Sequence, residues 1–388
     1  MRKKSLAALL AIVLLIVHVA LASGKIWQEG IQAPGNTILN LAASQTHTVK
    51  KESSSQTGYE TITDGMGRKV TVKHPVKRIA FSHIATADAL MILDAWDKVA
   101  GRCRRLDETI FPGLDKIAVV KSGQNVYELN YEKIYGAGID LFLAANIPVS
   151  GFDEMVAHLE PNIPVAVLDF HDASQFIANL ETLGVLIGKE KEAEAYIEWF
   201  NAILEMISNR TKTVTDKPTV FFKTGWGSVD DMQTFTDELA GIPKRNEITG
   251  CANTAAKLPS RGGWVPSVDA EWLVTQKIDM LIIMDYIHGG FGFGVDDPAL
   301  VRHHRQQVMD LPAFSGSEAV KNNQVYVIPV EFFATPQFIV GYAYLAKWFH
   351  PELFPDLNPQ AVHQAYLKRF MRLDHDLSRN GVFVYPNK

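Results

Sequence analysis

The chain has 388 residues, of which 47% are hydrophobic and 21% are charged, and its formal net charge is -5. This length accommodates two domains with cores of ordinary size. The lack of a basic excess argues against a nucleic-acid partner. The two cysteines, Cys103 and Cys251, belong to no Cys-x-x-Cys or Cys/His pattern, so we expect no structural zinc site and interpret both as buried thiols.

The N-terminal segment has the pattern of an export signal. Basic residues at positions 2–4 precede an apolar run over 6–21, and Ala-Leu-Ala at 20–22 is a small-x-small cleavage pattern. These features predict a secretory signal peptide over residues 1–22. An uncleaved anchor helix is the alternative, because the run approaches the length needed to span a bilayer. In both cases we expect an exported protein, in the periplasm or at the outer face of the cytoplasmic membrane.

The next segment, 23–59, shows no sustained periodicity and contains a serine-rich run, which predicts a flexible linker. From residue 60 to residue 172, short apolar segments alternate with segments of helical spacing. This alternation is typical of parallel βαβ units and predicts an N-terminal α/β lobe.

A long amphipathic pattern over 173–210 interrupts the alternation. It is longer than a βαβ crossover requires, so it predicts a stiff interlobe helix, which Gly188 either kinks or divides in two. The alternation then resumes and predicts a C-terminal α/β lobe with closing helices over 211–388. The predicted fold class is therefore α/β, with two Rossmann-like lobes that contain parallel sheets and are joined by a single long helix.

Five phrases follow one another along the chain: ITDGMGRKVTV (62–72), VKRIA (76–80), LDAWDKVAG (93–101), VDAEWL with IDML (268–281), and QVYVIP (324–329). In this order they resemble the binding proteins of ABC importers for ferric siderophores, haem and cobalamin, over roughly residues 60–350. The resemblance implies a ligand cleft between the lobes and modest closure on binding. The family's Pro-Asp pair before the strand at 138–141 is missing, and the tail beyond Phe349 is extended. These departures leave the identity of the ligand open.

The resemblance also implies a function. The protein would capture an iron chelate (siderophore or haem) or a corrinoid and deliver it, as a monomer, to an ABC permease and ATPase complex. It would hold no resident cofactor and catalyse no reaction, and the sequence contains no nucleophile elbow, Walker loop or His-Glu-x-x-His motif. A direct metal-ion binding protein is the nearer alternative, with His83, His171, His288 and Glu331 as possible ligands. A tetrapyrrole chelatase is a second alternative, against which export argues.

Open α/β sheets bind ligands at the carboxyl ends of their strands, which selects candidate ligand-binding residues. In the first lobe these are His83, Arg102, Arg104, Arg105, Asn125, Asn146 and His171; in the second they are Trp226, Arg261, Trp264, Tyr286, His288 and Phe332. Arginines suit an anionic chelate, and aromatic rings suit a large planar ligand. We therefore expect a polar, cationic first lobe and a flatter, more apolar second lobe.

Two further residues are implied by the resemblance. In the family, one acidic residue on each lobe pairs with arginines of the permease. The segments 130–134 and 237–241 match those positions, which gives Glu132 and Glu238 as permease-docking residues.

Overall fold

The computed structural model describes residues 58–387, except Arg105, Ser122, Gln124, Pro148, Pro161, 225–227, Ala240, Pro266 and 286–289. The predicted signal peptide and almost all of the predicted linker therefore lie outside the described residues. Within the described part of the chain, no helix is long and apolar enough to cross a membrane.

The chain enters through an antiparallel hairpin of β1 (Gly58–Thr63) and β2 (Lys69–His74). Its turn is organised by Asp64, a buried carboxylate that accepts hydrogen bonds from the backbone and the guanidinium of Arg68 at 2.8–3.0 Å. The same carboxylate accepts a bond from the Val167 N–H at 3.2 Å. One buried carboxylate thus closes the turn and fastens the hairpin to the first lobe.

The first lobe is a five-stranded parallel sheet with the order β5-β4-β3-β6-β7. Its strands are β3 (Ile79–Phe81), β4 (Val99–Arg102), β5 (Ala118–Val119), β6 (Leu141–Ala144) and β7 (Val165–Val167). Its helices are α1 (Ile84–Ile92), α2 (Tyr131–Gly136) and α3 (Phe152–Leu159). The strand order reverses between β3 and β6, and a crevice opens at the carboxyl ends of strands on either side of such a point.

The interlobe segment consists of two helices, α4 (Phe176–Ile187) and α5 (Glu190–Thr211). Gly188 ends α4 in a left-handed conformation, with φ +70°, which glycine adopts without a steric penalty. The predicted segment 173–210 is therefore divided at Gly188 rather than continuous. The 22-residue α5 is the single long helix that leads into the second lobe.

The second lobe is built on a four-stranded parallel sheet with the order β10-β8-β12-β13, beside a two-stranded antiparallel ribbon of β9 and β11. Its strands are β8 (Thr219–Thr224), β9 (Thr234–Phe235), β10 (Ala252–Asn253), β11 (Trp264–Val265), β12 (Met280–Asp285) and β13 (Val325–Pro329). Its helices are α6 (Ile242–Thr249), α7 (Ala270–Thr275), α8 (Ala299–Met309), α9 (Pro312–Ser315), α10 (Glu318–Lys321), α11 (Glu331–Ala334), α12 (Phe338–Phe349) and α13 (Pro359–Arg369).

The closing helices return to the first lobe. Asp88 on α1 is buried, and its carboxylate accepts hydrogen bonds from the Gln337 amide at 3.3 Å and the Tyr366 hydroxyl at 3.4 Å. Just beyond α13, the Arg372 guanidinium pairs with Asp94 at 2.9 Å. The C-terminal helices therefore fasten the second lobe to α1 through polar contacts as well as apolar packing.

Asp88 predicts a specific dependence of stability on pH. Burial raises the pKa of Asp88 to about 6, although hydrogen bonds from Thr335, Gln337 and Tyr366 oppose the rise. The folded protein therefore keeps this proton at pH values where the unfolded chain has released it, and the free energy of unfolding falls as pH rises from ~4 to ~6. Asp88→Asn carries no charge at any pH, and the neighbouring hydroxyls can reorient to accept from its amide.

We expect Asp88→Asn to be more stable relative to wild type at about pH 7.5 than at about pH 4.5. The difference in free energy of unfolding between the variant and wild type should change by up to ~3 kcal/mol between these pH values. Denaturant unfolding at both pH values measures this. Asp216→Asn, at an exposed position, is the control, and its difference in stability from wild type should be the same at both pH values. If the difference in free energy of unfolding between Asp88→Asn and wild type does not change with pH, the raised pKa of Asp88 is contradicted.

Candidate functional site

The carboxyl edge of the first-lobe sheet brings two histidines together. His83 follows β3, His171 follows β7, and their ring centroids are 5.2 Å apart. His171 Nδ1 contacts the carboxylate of Asp169, which is buried. Two of the predicted ligand-binding residues therefore share one edge of the sheet, although 88 positions of sequence separate 83 from 171.

His83 has a defined chemical state. Its Nδ1 accepts the Ala85 N–H at 3.3 Å and so caps the N-terminus of α1. Burial, together with the charges of His171 and Lys121, lowers the pKa of His83 to about 3. A neutral imidazole that accepts at Nδ1 carries its proton on Nε2. His83 therefore offers an N–H donor on the side of the ring away from α1, rather than a lone pair.

The predicted arginines divide into different roles. The Arg102 guanidinium donates to the Leu114 carbonyl at 3.0 and 3.2 Å and to the Cys103 carbonyl at 3.1 Å. These bonds fix the loop after β4, so a ligand would have to displace them to reach this side chain. Arg104 is exposed, and Arg105 lies outside the described residues. Arg104 remains a candidate for an anionic ligand.

The predicted asparagines also differ. Asn125 donates to the Ser150 carbonyl at 2.7 Å and accepts from the Tyr127 N–H at 3.0 Å, so its side chain joins two loops of the first lobe. Asn146 is exposed directly after β6. Asn146 is thus placed at the switch point with its amide accessible.

Lys121 is a cation that the sequence analysis did not select. It follows β5 and is close enough to His83 to depress the pKa of that histidine. It directly follows the apolar run 118–120, so the rule that selected the other strand-end residues applies to it as well. With the exposed Arg104, it adds a second described cation after the strands of the first lobe.

The second lobe places charged groups at its carboxyl edge. Lys223 is buried near the end of β8, Asp285 ends β12, and Glu331 follows β13. His304 on α8 lies with Nε2 3.3 Å from the Asp285 carboxylate, and the Lys223 ammonium donates to the Thr224 carbonyl at 3.3 Å. The edge thus carries both signs of charge, which differs from the expected flat and apolar surface.

The surroundings of these groups shift their pKa values. Burial, with smaller contributions from the carboxylates of Asp285 and Asp88, raises the pKa of Glu331 to about 7, although a backbone hydrogen bond opposes the rise. Burial lowers the pKa of Lys223, while Asp285 opposes the change. Both pKa shifts favour the neutral forms of these side chains. A solute that brings the opposite charge would be needed to stabilise the ionised carboxylate or ammonium.

The predicted aromatic residues of the second lobe are only partly described. Trp226, Tyr286 and His288 lie outside the described residues. Phe332 is 2% exposed, and its ring packs against Tyr344 at 6.2 Å and His363 at 5.0 Å between centroids. The structure therefore places Phe332 in the core, because the closing helices cover the ring that its position in the sequence would leave at the cleft.

The loop before α7 carries two candidate ligand-binding residues and contacts a candidate docking residue. Trp264 on β11 is half-buried 5.3 Å from the Phe235 ring, and the exposed Arg261 pairs with it through backbone hydrogen bonds of 2.9 and 3.2 Å. Ser260, in the same loop, donates to the carboxylate of Glu238. A candidate ligand loop and a candidate docking residue are thus in direct contact.

Unsatisfied polar atoms mark the same edges. Ser82 Oγ follows β3, Thr224 Oγ1 ends β8, and Glu331 Oε2 follows β13; each is buried and has no hydrogen-bond partner among the described residues. Buried polar atoms are normally paired with protein or water, so these three are positioned to be satisfied by a bound molecule or by solvent.

A family comparison decides what class of protein carries this architecture. The model of the Periplasmic binding protein family matches residues 85–331, more than half of the chain. The chain belongs to the periplasmic binding protein family. Membership assigns a binding rather than a catalytic role and a location outside the cytoplasm, in agreement with the export predicted from the sequence.

Individual relatives agree with this assignment. The chain is 24% identical over 303 residues to YvrC, an uncharacterized ABC transporter substrate-binding lipoprotein of Bacillus subtilis (strain 168), with 76% of this chain and 87% of that protein covered. Among solved structures, the TroA-like periplasmic binding protein FepB of Veillonella parvula has a TM-score of 0.68 at 21% identity, covering 84% of this chain and 98% of that one.

Two further solved structures share the fold of this periplasmic binding protein. Haemophilus influenzae MolA bound to molybdate has a TM-score of 0.62 at 17% identity, covering 82% of this chain and 99% of that one. Helicobacter pylori CeuE with Ni(II) bound has a TM-score of 0.63 at 18% identity, covering 81% and 97%. At these identities the likeness establishes the two-lobed α/β fold.

The described residues also bear on a metal site and on the two predicted docking residues. Across the described parts of residues 58–387, no group of three or more His, Cys, Asp or Glu side chains is placed to hold a metal ion. Glu132 is exposed in the first turn of α2, and Glu238 is exposed beside Ser260. Both predicted docking carboxylates are therefore on the surface, one on each lobe.

The helix cap of His83 predicts how two variants differ. His83→Asn should retain the cap, because asparagine accepts the same backbone bond, whereas His83→Ala should lower the free energy of unfolding by ~1 kcal/mol. If His83 Nε2 also donates to the solute, both variants should weaken binding of a ferric tris-catecholate complex by a similar factor. Denaturant unfolding and fluorescence titration separate the two effects. Equal stability of the variants would argue against the cap, and unchanged affinity in both would remove His83 from the site.

Proposed function

We propose that this periplasmic binding protein captures an anionic metal chelate, of the ferric siderophore, haem or corrinoid class, and delivers it to an ABC permease and its ATPase. The observation that carries the proposal is the chemistry of the first-lobe edge. His83 offers an N–H donor, and Lys121 and Arg104 add positive charge. Donors and cations of this kind complement carboxylate or catecholate oxygens, whereas a bare cation requires lone pairs.

The second-lobe edge supports the same solute class. The half-buried Glu331 and the buried Lys223 can take opposite charges, in a setting that disfavours the ionised form of each. A chelate carries both a metal-bearing centre and anionic ligand groups, so it can complement both. Trp264, half-buried in its loop, adds an aromatic surface suited to a large ligand.

Direct binding of a metal ion is the second candidate. The proximity of His83 and His171, with Asp169 against His171, favours it. For His83 to coordinate through Nε2, its proton would have to move to Nδ1, and the cap of α1 would be lost. This cost is the physical reason for ranking the chelate first.

Titration of the purified protein distinguishes the candidates. We expect a ferric tris-catecholate complex, haemin or cyanocobalamin to quench tryptophan fluorescence with a dissociation constant of about 1 μM or lower, and Ni²⁺ or Zn²⁺ alone to leave it unchanged. Trp264→Ala should weaken chelate binding at least ~10-fold, whereas the control Trp272→Ala, also half-buried in the second lobe, should not. Saturable binding of a bare ion, with none of the chelates bound, would overturn the proposal in favour of the second candidate.

Delivery to the permease makes a separate prediction. Replacing both Glu132 and Glu238 by glutamine removes their charges, and the Glu238 side chain keeps an acceptor for Ser260. In cells that depend on this protein, uptake of the chelate should fall to background, while the affinity of the purified double variant stays at the wild-type value. The exposed pair Glu205→Gln and Glu318→Gln is the control and should support normal uptake. Normal uptake by the Glu132/Glu238 variant would rule out these residues as the docking pair.

A further inference from the structure

The C-terminal segment crosses the second lobe and contacts a glycine-rich loop beside the candidate site. We call residues 375–387 the strap and residues 290–297 the cleft loop, which joins the end of β12 to α8. Tyr385 pairs with Val327 of the edge strand β13 through backbone bonds of 2.7 and 2.9 Å, and the Gly292 N–H donates to the Val382 carbonyl at 2.7 Å. The strap therefore extends the sheet edge and continues onto the cleft loop.

Side chains reinforce this backbone pairing. The Phe293 ring of the cleft loop meets Phe383 at 5.0 Å and His375 at 4.7 Å, both in edge-to-face geometry. The Gly381 N–H donates to the Asp296 carboxylate at 2.9 Å. The strap thus contacts the loop at Phe293, through its aromatic ring, and at Asp296, through a charged acceptor.

Gly381 allows the close approach of the two segments. It has φ +92°, and a Cβ there would lie 2.6 Å from the Phe383 ring and 3.1 Å from the Gly292 carbonyl oxygen. Any side chain at this position would push the strap away from the loop. The close contact between the strap and the cleft loop therefore depends on glycine at position 381.

The strap packs against α13 and hydrogen-bonds to it. The Phe383 ring packs edge-on against His363, which is 1% exposed, at 4.7 Å. The Gln364 side chain of α13 donates to the His375 carbonyl at 2.6 Å and accepts from the Leu377 N–H at 2.8 Å. Because α13 also reaches Asp88 through Tyr366, the strap is anchored to the part of the structure that fastens the two lobes together.

The cleft loop starts at residue 290, beyond Asp285 at the carboxyl end of β12, which is the edge at which open α/β sheets bind ligands. Its glycines leave it intrinsically free to adopt many conformations. Ordering one residue costs ~1–2 kcal/mol, and a loop ordered only on binding would subtract that from affinity. We propose that Phe383 and Gly381 are positioning residues, through which the strap holds the cleft loop in its binding conformation before the solute arrives. The part of this inference that concerns affinity rests on the proposed function; the part that concerns the loop does not.

Hydrogen exchange and titration of the full chain test the inference together. In Phe383→Ala, amides of the 290–297 segment, including the Gly292 N–H, should exchange at least ~10-fold faster, while β12 and α12 keep their protection. Affinity for a ferric tris-catecholate complex should fall by ~10-fold or more. Phe354→Ala is the control: Phe354 is 0% exposed and packs against Arg210 at the end of α5. It should lose stability yet keep both loop protection and affinity.

Gly381→Ala provides a second, smaller perturbation if Phe383→Ala does not fold, and it should loosen the same loop. Unchanged exchange of 290–297 in a folded variant would overturn the positioning role. A loosened loop with wild-type affinity, for a chelate that the wild type binds, would overturn the link between the strap and the site. If the wild type binds none of the chelates, the proposed function fails, and the exchange measurement still decides whether the strap positions the loop.

Discussion

Parallel pairing in both sheets is the constraint on which the site depends, because it brings the residues that follow every strand to one edge of each sheet. His83 and His171 meet at such an edge, and so do Lys223, Asp285 and Glu331. The unsatisfied atoms of Ser82, Thr224 and Glu331 lie at the same edges. The polar chemistry therefore results from topology, because β3, β6 and β7 are wholly apolar and the polar residues of β8 and β12 at this edge stand at the ends of those strands.

Burial sets the character of this polar edge. An ionised group removed from water is costly unless a partner compensates it, and the pKa shifts of Glu331 and Lys223 express that cost. A binding protein can use this arrangement, because a solute that supplies the missing charge stabilises groups that water can no longer reach. Under the proposed function, a neutral solute such as a sugar would gain nothing from these groups in their ionised forms.

The sequence was sufficient for the fold and for part of the site. Short apolar runs predict the central strands, and Gly188 predicts either a kink or a division of the interlobe helix, of which its left-handed φ selects the division. Lys223 and Asp285 directly follow the apolar runs 220–222 and 280–284, but the polar residues selected in this lobe were the ones that come after them. Arg102 was selected by its position, but the carbonyls that hold it come from a loop whose path depends on tertiary packing. Phe332 was selected for the same reason, and helices far along the chain cover it.

The connection between the lobes limits how a solute can be enclosed. A 22-residue helix is ~33 Å long, and bending it would break its hydrogen-bond ladder. The contacts of Gln337 and Tyr366 with Asp88 fasten the closing helices to α1 and oppose the same motion. If the lobes close little, closure would not order a loop around the solute, and the loop would have to be ordered beforehand. The proposed role of the strap, which pairs with β13 and with Gly292, would meet this requirement.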